Sequence, residues 1–140
     1  MTPRHVLILC TGNSARSQMA ESLFNALGDG AVVAESAGSR PAARVNPIAI
    51  ETLARHGLTW RGHPPRGLDG LETMPWDLVI TVCDNAKESC PVFPGATMLH
   101  WGMPDPADHE GEAGRAAFET AYQLLHERIT QFLESDSPTQ

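Results

Sequence analysis

The chain has 140 residues, 41% of them hydrophobic and 19% charged, enough for one domain with a buried core and ordinary for a globular protein. Its formal net charge of −7 argues against nucleic acid or an anionic membrane as partner. The longest apolar run is far too short to span a bilayer and no signal peptide is visible, so a cytoplasmic location is expected. Three cysteines in a reducing compartment point to chemistry or to inert thiols, not to a disulfide framework.

Val6 to Leu9 is a short apolar run rich in branched residues and reads as a buried strand. It leads directly into Cys10-Thr11-Gly12-Asn13-Ser14-Ala15-Arg16-Ser17. From there Met19, Leu23 and Leu27 recur every four residues beside Ala20 and Phe24, a helical pattern ending at Gly28, which suits a left-handed position after the helix. A strand, a tight polar loop and a helix N-terminus make a cradle for an anion. Loop amides and first-turn donors converge on one spot, where the helix dipole also favours negative charge. Gly12 permits close backbone approach and Asn13 tolerates a left-handed conformation. Arg16 adds a planar fork of donors matched to a tetrahedral oxyanion. Cys10 sits at the floor of this field, where a thiol is expected to ionise below the ordinary value of about 8.5. A lone buried cysteine is more often inert packing. The arginine six positions on and the strand-to-helix switch favour a nucleophile facing its substrate.

Ala31 to Glu35 reads as a second strand and Ser36-Ala37-Gly38-Ser39 as a turn. Asn46-Pro47 is a helix start, a cap followed by proline in the first turn; Ile50, Leu53 and Ala54 supply its apolar face and Gly57 stops it. Residues 59–70 form a loop, with a short helix around Leu68 to Glu72. Asp77 to Val82 is a third strand and Thr97 to His100 a fourth. Phe118, Tyr122, Leu125, Ile129 and Phe132 mark a terminal helix whose stripe is core packing. Alternating strands and helices imply right-handed crossovers and an α/β fold: a single, doubly wound domain over 1–134 with a four-stranded parallel sheet and helices on both faces, then a tail at 135–140. Ligand sites in such folds lie beyond the carboxyl ends of the strands. Cys10 and Cys83 each follow a strand and open on the same edge.

The segment Cys83-Asp84-Asn85-Ala86-Lys87-Glu88-Ser89-Cys90-Pro91 has a gap longer than paired zinc cysteines use. One cysteine beside the cradle and another a loop away suit a thiol–disulfide relay, although two incidental thiols fit the same spacing.

The run Cys10 to Ser14 followed by Arg16-Ser17-Gln18-Met19-Ala20-Glu21 resembles the low-molecular-weight tyrosine phosphatase family and the arsenate reductases built on its fold. Thr81-Val82-Cys83-Asp84-Asn85-Ala86, Cys90-Pro91 and His100-Trp101-Gly102-Met103-Pro104-Asp105-Pro106-Ala107 are similar to the reductases coupled to thioredoxin, as are Ser36-Ala37-Gly38 and Val45-Asn46-Pro47. The resemblance implies that Thr11, Gly12, Asn13, Ser14, Ala15 and Arg16 bind arsenate, with phosphate or sulfate as weak analogues. It makes Cys10, steadied by Ser17, the nucleophile, Asp105 the general acid, and Cys83 and Cys90 the relay that releases arsenite. Weak phosphatase activity is an expected side reaction. No cofactor is held tightly. The reductant is an external thiol donor, thioredoxin or else glutaredoxin or a small thiol, and the role is arsenic detoxification. A potassium ion at Asn13, Glu21 and Ser36 is a further implication, with Asp69 as the nearest candidate for an additional carboxylate. Two features depart from the family pattern: Ala15 stands where many relatives have cysteine, and Pro64-Pro65-Arg66 is unusual. Ala107, where phosphatases carry an aromatic residue, removes a stacking platform for a phenyl ring. Two alternatives stand beside this reading: a phosphomonoesterase using Cys10, Arg16 and Asp105, and a non-catalytic oxyanion- or metal-binding module.

Overall fold

The computed structural model describes residues 3–60, 62–82, 93 and 95–135. In chain order the elements are β1 (Arg4–Cys10), α1 (Arg16–Gly28), β2 (Val32–Gly38), α2 (Pro47–Arg55), β3 (Leu78–Thr81), β4 (Thr97–His100), a 3-10 turn (Pro106–Asp108) and α3 (Gly111–Ser135). The four strands form one sheet in the order β2-β1-β3-β4, and every pairing is parallel. Val6 to Cys10 of the inner strand are all buried. Successive side chains point to opposite faces, so both faces of the sheet are covered, as a doubly wound fold requires. No helix among the described residues is long and apolar enough to cross a membrane.

α1 and α3 pack together through large rings. Phe24 of α1 stacks on Trp101 at 6.1 Å and meets the edge of Phe132 at 6.0 Å. The Phe118–Tyr122–Leu125–Ile129 stripe of α3 is buried as expected. α2 begins at the expected cap: the Asn46 side chain accepts a hydrogen bond from Ile48 N at 2.9 Å, with Pro47 in the first turn.

Several details differ from the sequence reading. β2 runs on through Ser36-Ala37-Gly38, which pair with Ile8, Leu9 and Cys10; the small residues read as a turn are buried strand. α1 includes Gly28, and the left-handed residue after it is Asp29, at φ 48°. Gly28 is small for packing, since a Cβ there would lie 3.0 Å from Val32 Cβ. Leu27 is exposed, because the apolar stripe of α1 turns through Met19, Ala20, Leu23 and Phe24. α2 buries Ala49, Thr52 and Leu53 in place of the Ile50–Leu53–Ala54 face, with the Thr52 hydroxyl donating to Ile48 O. Residues 68–74 are successive turns, Leu71 N to Leu68 O and Met74 N to Leu71 O, not a helix.

Side-chain contacts clasp α2 to α3, the tightest at the end of α2. His56 Nε2 lies 2.8 Å from Glu119 Oε2, and its ring stacks on Tyr122 at 3.9 Å. The Gln123 amide, then His56, hold the Glu119 carboxyl below its ordinary value of 4.5. A carboxylate whose folded-state value is depressed stabilises the fold above its ordinary value and loses that contribution as pH falls through the folded one. Glu119 is 36% exposed, so solvent screening limits the effect to about 0.5 kcal/mol. Glu119→Gln is expected to lower stability by that amount near neutral pH and to match wild type in acid, read from urea unfolding midpoints at the two conditions.

Candidate active site

β1 ends at Cys10 and α1 begins at Arg16, so residues 11–15 bridge strand to helix at the carboxyl edge of the sheet. The 39–46 segment holds this loop from outside. Ser39, Arg40, Ala42 and Asn46 donate backbone N–H groups to the carbonyls of Cys10, Thr11, Gly12 and Ser14 at 3.2, 2.8, 2.9 and 2.8 Å. The N–H and C=O of a trans peptide point in opposite directions. Outward carbonyls therefore turn the amides of Thr11, Gly12, Asn13 and Ala15 inward. One of these, Asn13 N–H, meets Cys10 Sγ at 3.2 Å. No side chain among the described residues caps the start of α1, leaving its first amides to face the same cleft.

Cys10 is buried, and its sulfur lies 3.0 Å from Ser17 Oγ. Asn13 Nδ2 donates to Ser17 Oγ at 2.8 Å and to Ser36 Oγ at 2.9 Å. Asn13 is itself left-handed, at φ 52°, as its residue type allows. Arg16 is nearly enclosed. Its Nη1 donates to Met103 O at 2.9 Å, Nη2 lies 3.4 Å from Asp105 Oδ2, and Nε is buried with no hydrogen-bond partner among the described residues. An unpartnered guanidinium nitrogen in such a setting is costly and marks a place where an anion completes the arrangement. Asp105 divides its oxygens: Oδ1 accepts from Ala107 N at 3.0 Å and caps the 3-10 turn, while Oδ2 faces Arg16. The turn role and the cleft role coexist on one carboxylate.

These groups surround a cleft of about 580 Å³ lined by Cys10, Thr11, Gly12, Ser14, Ala15, Arg16, Met103, Pro104, Asp105 and Asp108. None of these described lining residues is aromatic. The expected residues Cys10, Thr11, Gly12, Asn13, Ser14, Ala15, Arg16, Ser17 and Asp105 are thus brought together. Cys83 and Cys90 lie outside the described residues. Val82, just before Cys83, donates to Leu9 O at 2.9 Å, which puts the end of β3 beside the end of β1.

Asn13, Glu21 and Ser36 also meet, but as a hydrogen-bonded cluster and not as a cage of oxygens for a cation. Ser36 Oγ donates to Glu21 Oε1 at 2.7 Å. Asn13 turns its amide nitrogen toward Ser36, because its Oδ1 accepts from Arg66 N at 3.0 Å. His63 Nε2 stands 3.2 Å from the same Glu21 Oε1. A hard cation wants oxygens, and here Glu21 Oε1 and Asn13 Oδ1 each already accept a hydrogen bond. As arranged, the set is held together by its own hydrogen bonds and forms no cage for potassium. Asp69 instead lines a separate depression with Ser39, Arg40 and Glu72.

Sequence reading missed Gln18, Trp60, His63 and Arg66. Gln18 Nε2 donates to Asn13 O and His63 O, both at 3.0 Å, while its Oε1 accepts from Trp60 Nε1 at 3.1 Å. A long segment without regular structure between α2 and β3 was the available signal, since such loops in compact domains are usually functional.

With this geometry in hand, relatives can be compared. Residues 5–137 match the family described as low molecular weight phosphotyrosine protein phosphatase, and the chain belongs to that family. It is 37% identical over 139 residues to the arsenate reductase of Bacillus licheniformis, covering 96% of this chain and 99% of that one. Among solved structures, it is similar to the Corynebacterium glutamicum thioredoxin-dependent arsenate reductase, with TM-score 0.78 and 27% identity over 99% of this chain and 64% of that one. It is equally similar to the tyrosine phosphatase Wzb from Escherichia coli K30 in complex with sulphate, with TM-score 0.78 and 27% identity over 95% and 98%. The fold is shared by reductases and phosphatases, so the choice between them rests on side chains.

Gly38 is the tightest point behind the loop. A Cβ there would lie 2.5 Å from Thr11 O, 2.9 Å from Asn13 N and 3.0 Å from Cys10 O. Gly38→Ala is expected to cost about 1–3 kcal/mol of stability, measured by urea unfolding. It should also weaken phosphate binding by titration calorimetry, because the loop backbone must give way. Unchanged stability and unchanged phosphate affinity would show that the loop is not pinned there.

Proposed function

We propose that this chain reduces arsenate to arsenite through a relay of three thiols, Cys10, Cys83 and Cys90, and serves arsenic detoxification. The observation that carries this reading is the buried Cys10 in one cleft with Arg16, whose Nε has no partner among the described residues, in a chain that carries two further cysteines. Phosphate esters need the first part alone. The cysteine pair, and the absence of an aromatic residue among the described cleft residues, favour a small inorganic oxyanion that is reduced.

Arsenate docks against the inward amides of residues 11–16 and the Arg16 guanidinium; phosphate and sulfate take the same cradle as weak analogues. The Ser17 hydroxyl and Asn13 N–H stabilise the Cys10 thiolate, which attacks arsenic. Asp105 Oδ2 delivers a proton to the departing oxygen, which leaves as water. Arsenic(V) is then bonded to Cys10 sulfur. The Cys83 thiolate attacks that sulfur, the S–As bond breaks, and its electron pair stays on arsenic, giving arsenite and a Cys10–Cys83 disulfide. Cys90 attacks Cys83, freeing Cys10 and leaving Cys83–Cys90 oxidised. An external dithiol protein of the thioredoxin class reduces this disulfide and closes the cycle. The similarity to a reductase named as thioredoxin-dependent favours that donor over glutaredoxin or a small thiol. With phosphate, which thiols do not reduce, the cradle supports only slow transfer to water.

The test is arsenite production from arsenate with thioredoxin, thioredoxin reductase and NADPH. Cys10→Ser, Cys83→Ser and Cys90→Ser are each expected to lower turnover by roughly a thousandfold or more. If only Cys10→Ser is inactive, the relay is wrong. If wild type makes no arsenite with any thiol donor but hydrolyses an aryl phosphate briskly, the chain is a phosphatase.

A further inference from the structure

An anion that approaches this chain meets repulsion twice. The whole chain has a formal net charge of −7, and the charged residues that line the cleft are one arginine, Arg16, and two aspartates, Asp105 and Asp108. Inward amides and a helix dipole act over about one turn. They hold an oxyanion that has arrived and do little to bring one in. Attraction at longer range needs full positive charge near the mouth.

The described arginines divide into two groups. Arg16, Arg55, Arg66 and Arg115 each pair with a carboxylate of the chain, and Arg4 lies over the Phe132 ring. Arg40, Arg44 and Arg128 form no ion pair among the described residues, and all three are exposed. Two of them sit in the segment that grips the active-site loop from outside. Arg40 N–H donates to Thr11 O at 2.8 Å, Ala42 N–H to Gly12 O at 2.9 Å and Asn46 N–H to Ser14 O at 2.8 Å. The backbone of Arg40 and Arg44 is therefore fixed beside the cleft, with only Pro41-Ala42-Ala43 between them. Asp69 and Glu72 share a depression with Arg40 but do not line the cleft.

We propose that Arg40 and Arg44 are steering residues, an exposed cationic rim that concentrates oxyanions at the Cys10 cleft and favours doubly over singly charged ones. The inference deepens the oxyanion reading and rests on it. A charge left unpaired acts at range, over about 10 Å at 0.1 M ionic strength and about 30 Å at 0.01 M. Coulomb energy scales with the product of the charges, so a dianion gains twice what a monoanion gains. Paired arginines such as Arg55 and Arg115 present little such field, because their carboxylates cancel it. Steering of this kind raises capture without touching the reacting atoms.

The experiment compares two alkylating agents of nearly equal size at Cys10, anionic iodoacetate and neutral iodoacetamide, by mass spectrometry of the Cys10 peptide. Arsenate, Cys83 and Cys90 take no part, so failure here is separate from failure of the relay. The ratio of the two rates cancels any change in thiol ionisation and reads the potential at the mouth. One unit charge at about 10 Å in water changes the local concentration of a monoanion about twofold. At low ionic strength the ratio is expected to fall about threefold in the double variant Arg40→Gln with Arg44→Gln, and the difference to vanish in about 0.5 M sodium chloride. Arg40→Lys with Arg44→Lys should keep the wild-type ratio, because steering needs charge and not the guanidinium fork. Arg128→Gln removes an equally exposed charge about 25 Å along α3 from its first residue, Gly111, and should leave the ratio unchanged. For arsenate, kcat/KM of the double glutamine variant should fall about five- to tenfold at low salt with kcat held. An unchanged ratio in that variant, or as large a fall per charge in Arg128→Gln, overturns the proposal. If the ratio holds and only turnover with the dithiol protein drops, the two arginines dock the reductant and the proposal is wrong.

Discussion

The donor direction of one hydroxyl decides what Cys10 can do. A buried thiolate is stable only if donors face it, and Ser17 Oγ, 3.0 Å away, can act as acceptor or donor toward sulfur. The choice is made elsewhere. Asn13 Nδ2 fills the Ser17 oxygen, and Asn13 cannot reverse its amide because Arg66 N–H holds its other end. The Ser17 proton has sulfur as its remaining partner. Backbone N–H of Asn13 adds a second donor on the same atom. The surroundings of the Cys10 sulfur thus depend on Arg66, 53 positions beyond Asn13 in a segment with no regular structure.

The sheet makes such remote control stiff. β1 is flanked by β2 and β3 in parallel register, with Cys10 opposite Gly38 and Leu9 opposite Thr81. Gly38 lets the loop backbone lie directly on the end of β2, and Gly38 N–H donates to Arg66 O at 2.9 Å. The same strand end therefore carries the loop on one side and the 62–67 segment on the other. Gly62 has a matching part: a Cβ there would lie 2.6 Å from Trp60 Nε1 and 2.7 Å from Gln18 Oε1, so the indole-to-amide bond that ties this segment to α1 depends on glycine.

Much of this was legible in the residues, for reasons of range. The Cys10-to-Arg16 cradle, the Asn46-Pro47 cap, the terminal stripe from Phe118 to Ile129 and the parallel sheet rest on spacings of a few residues, where periodicity and capping chemistry act. Ser36-Ala37-Gly38 misled because small polar residues signal a turn, and only pairing with Ile8 to Cys10 makes them strand. Gln18, Trp60, His63 and Arg66 were given no part in the site. Their bonds join residues 42 to 53 apart, and no local pattern encodes a contact of that span. Asn13, Glu21 and Ser36 were legible as a group but not as a hydrogen-bonded one, because Asn13's amide orientation is fixed by the backbone of Arg66.

The cradle itself carries no preference for arsenic. Inward amides and a guanidinium respond to charge and tetrahedral shape, which arsenate, phosphate and sulfate share, and a phosphatase of the same fold has been solved with sulphate. Discrimination on the proposed relay must come after binding. A Cys10 adduct of phosphate can only be transferred to water, whereas an adduct of arsenate has a sulfur that a second thiol can attack with arsenic as the electron sink. On the proposed relay, the Cys10 site sets the affinity for any such oxyanion, and attack of Cys83 on the Cys10 sulfur sets the selectivity. Such a division would let one loop serve both reductases and phosphatases, with the proposed relay, and not the loop that holds the oxyanion, choosing the substrate.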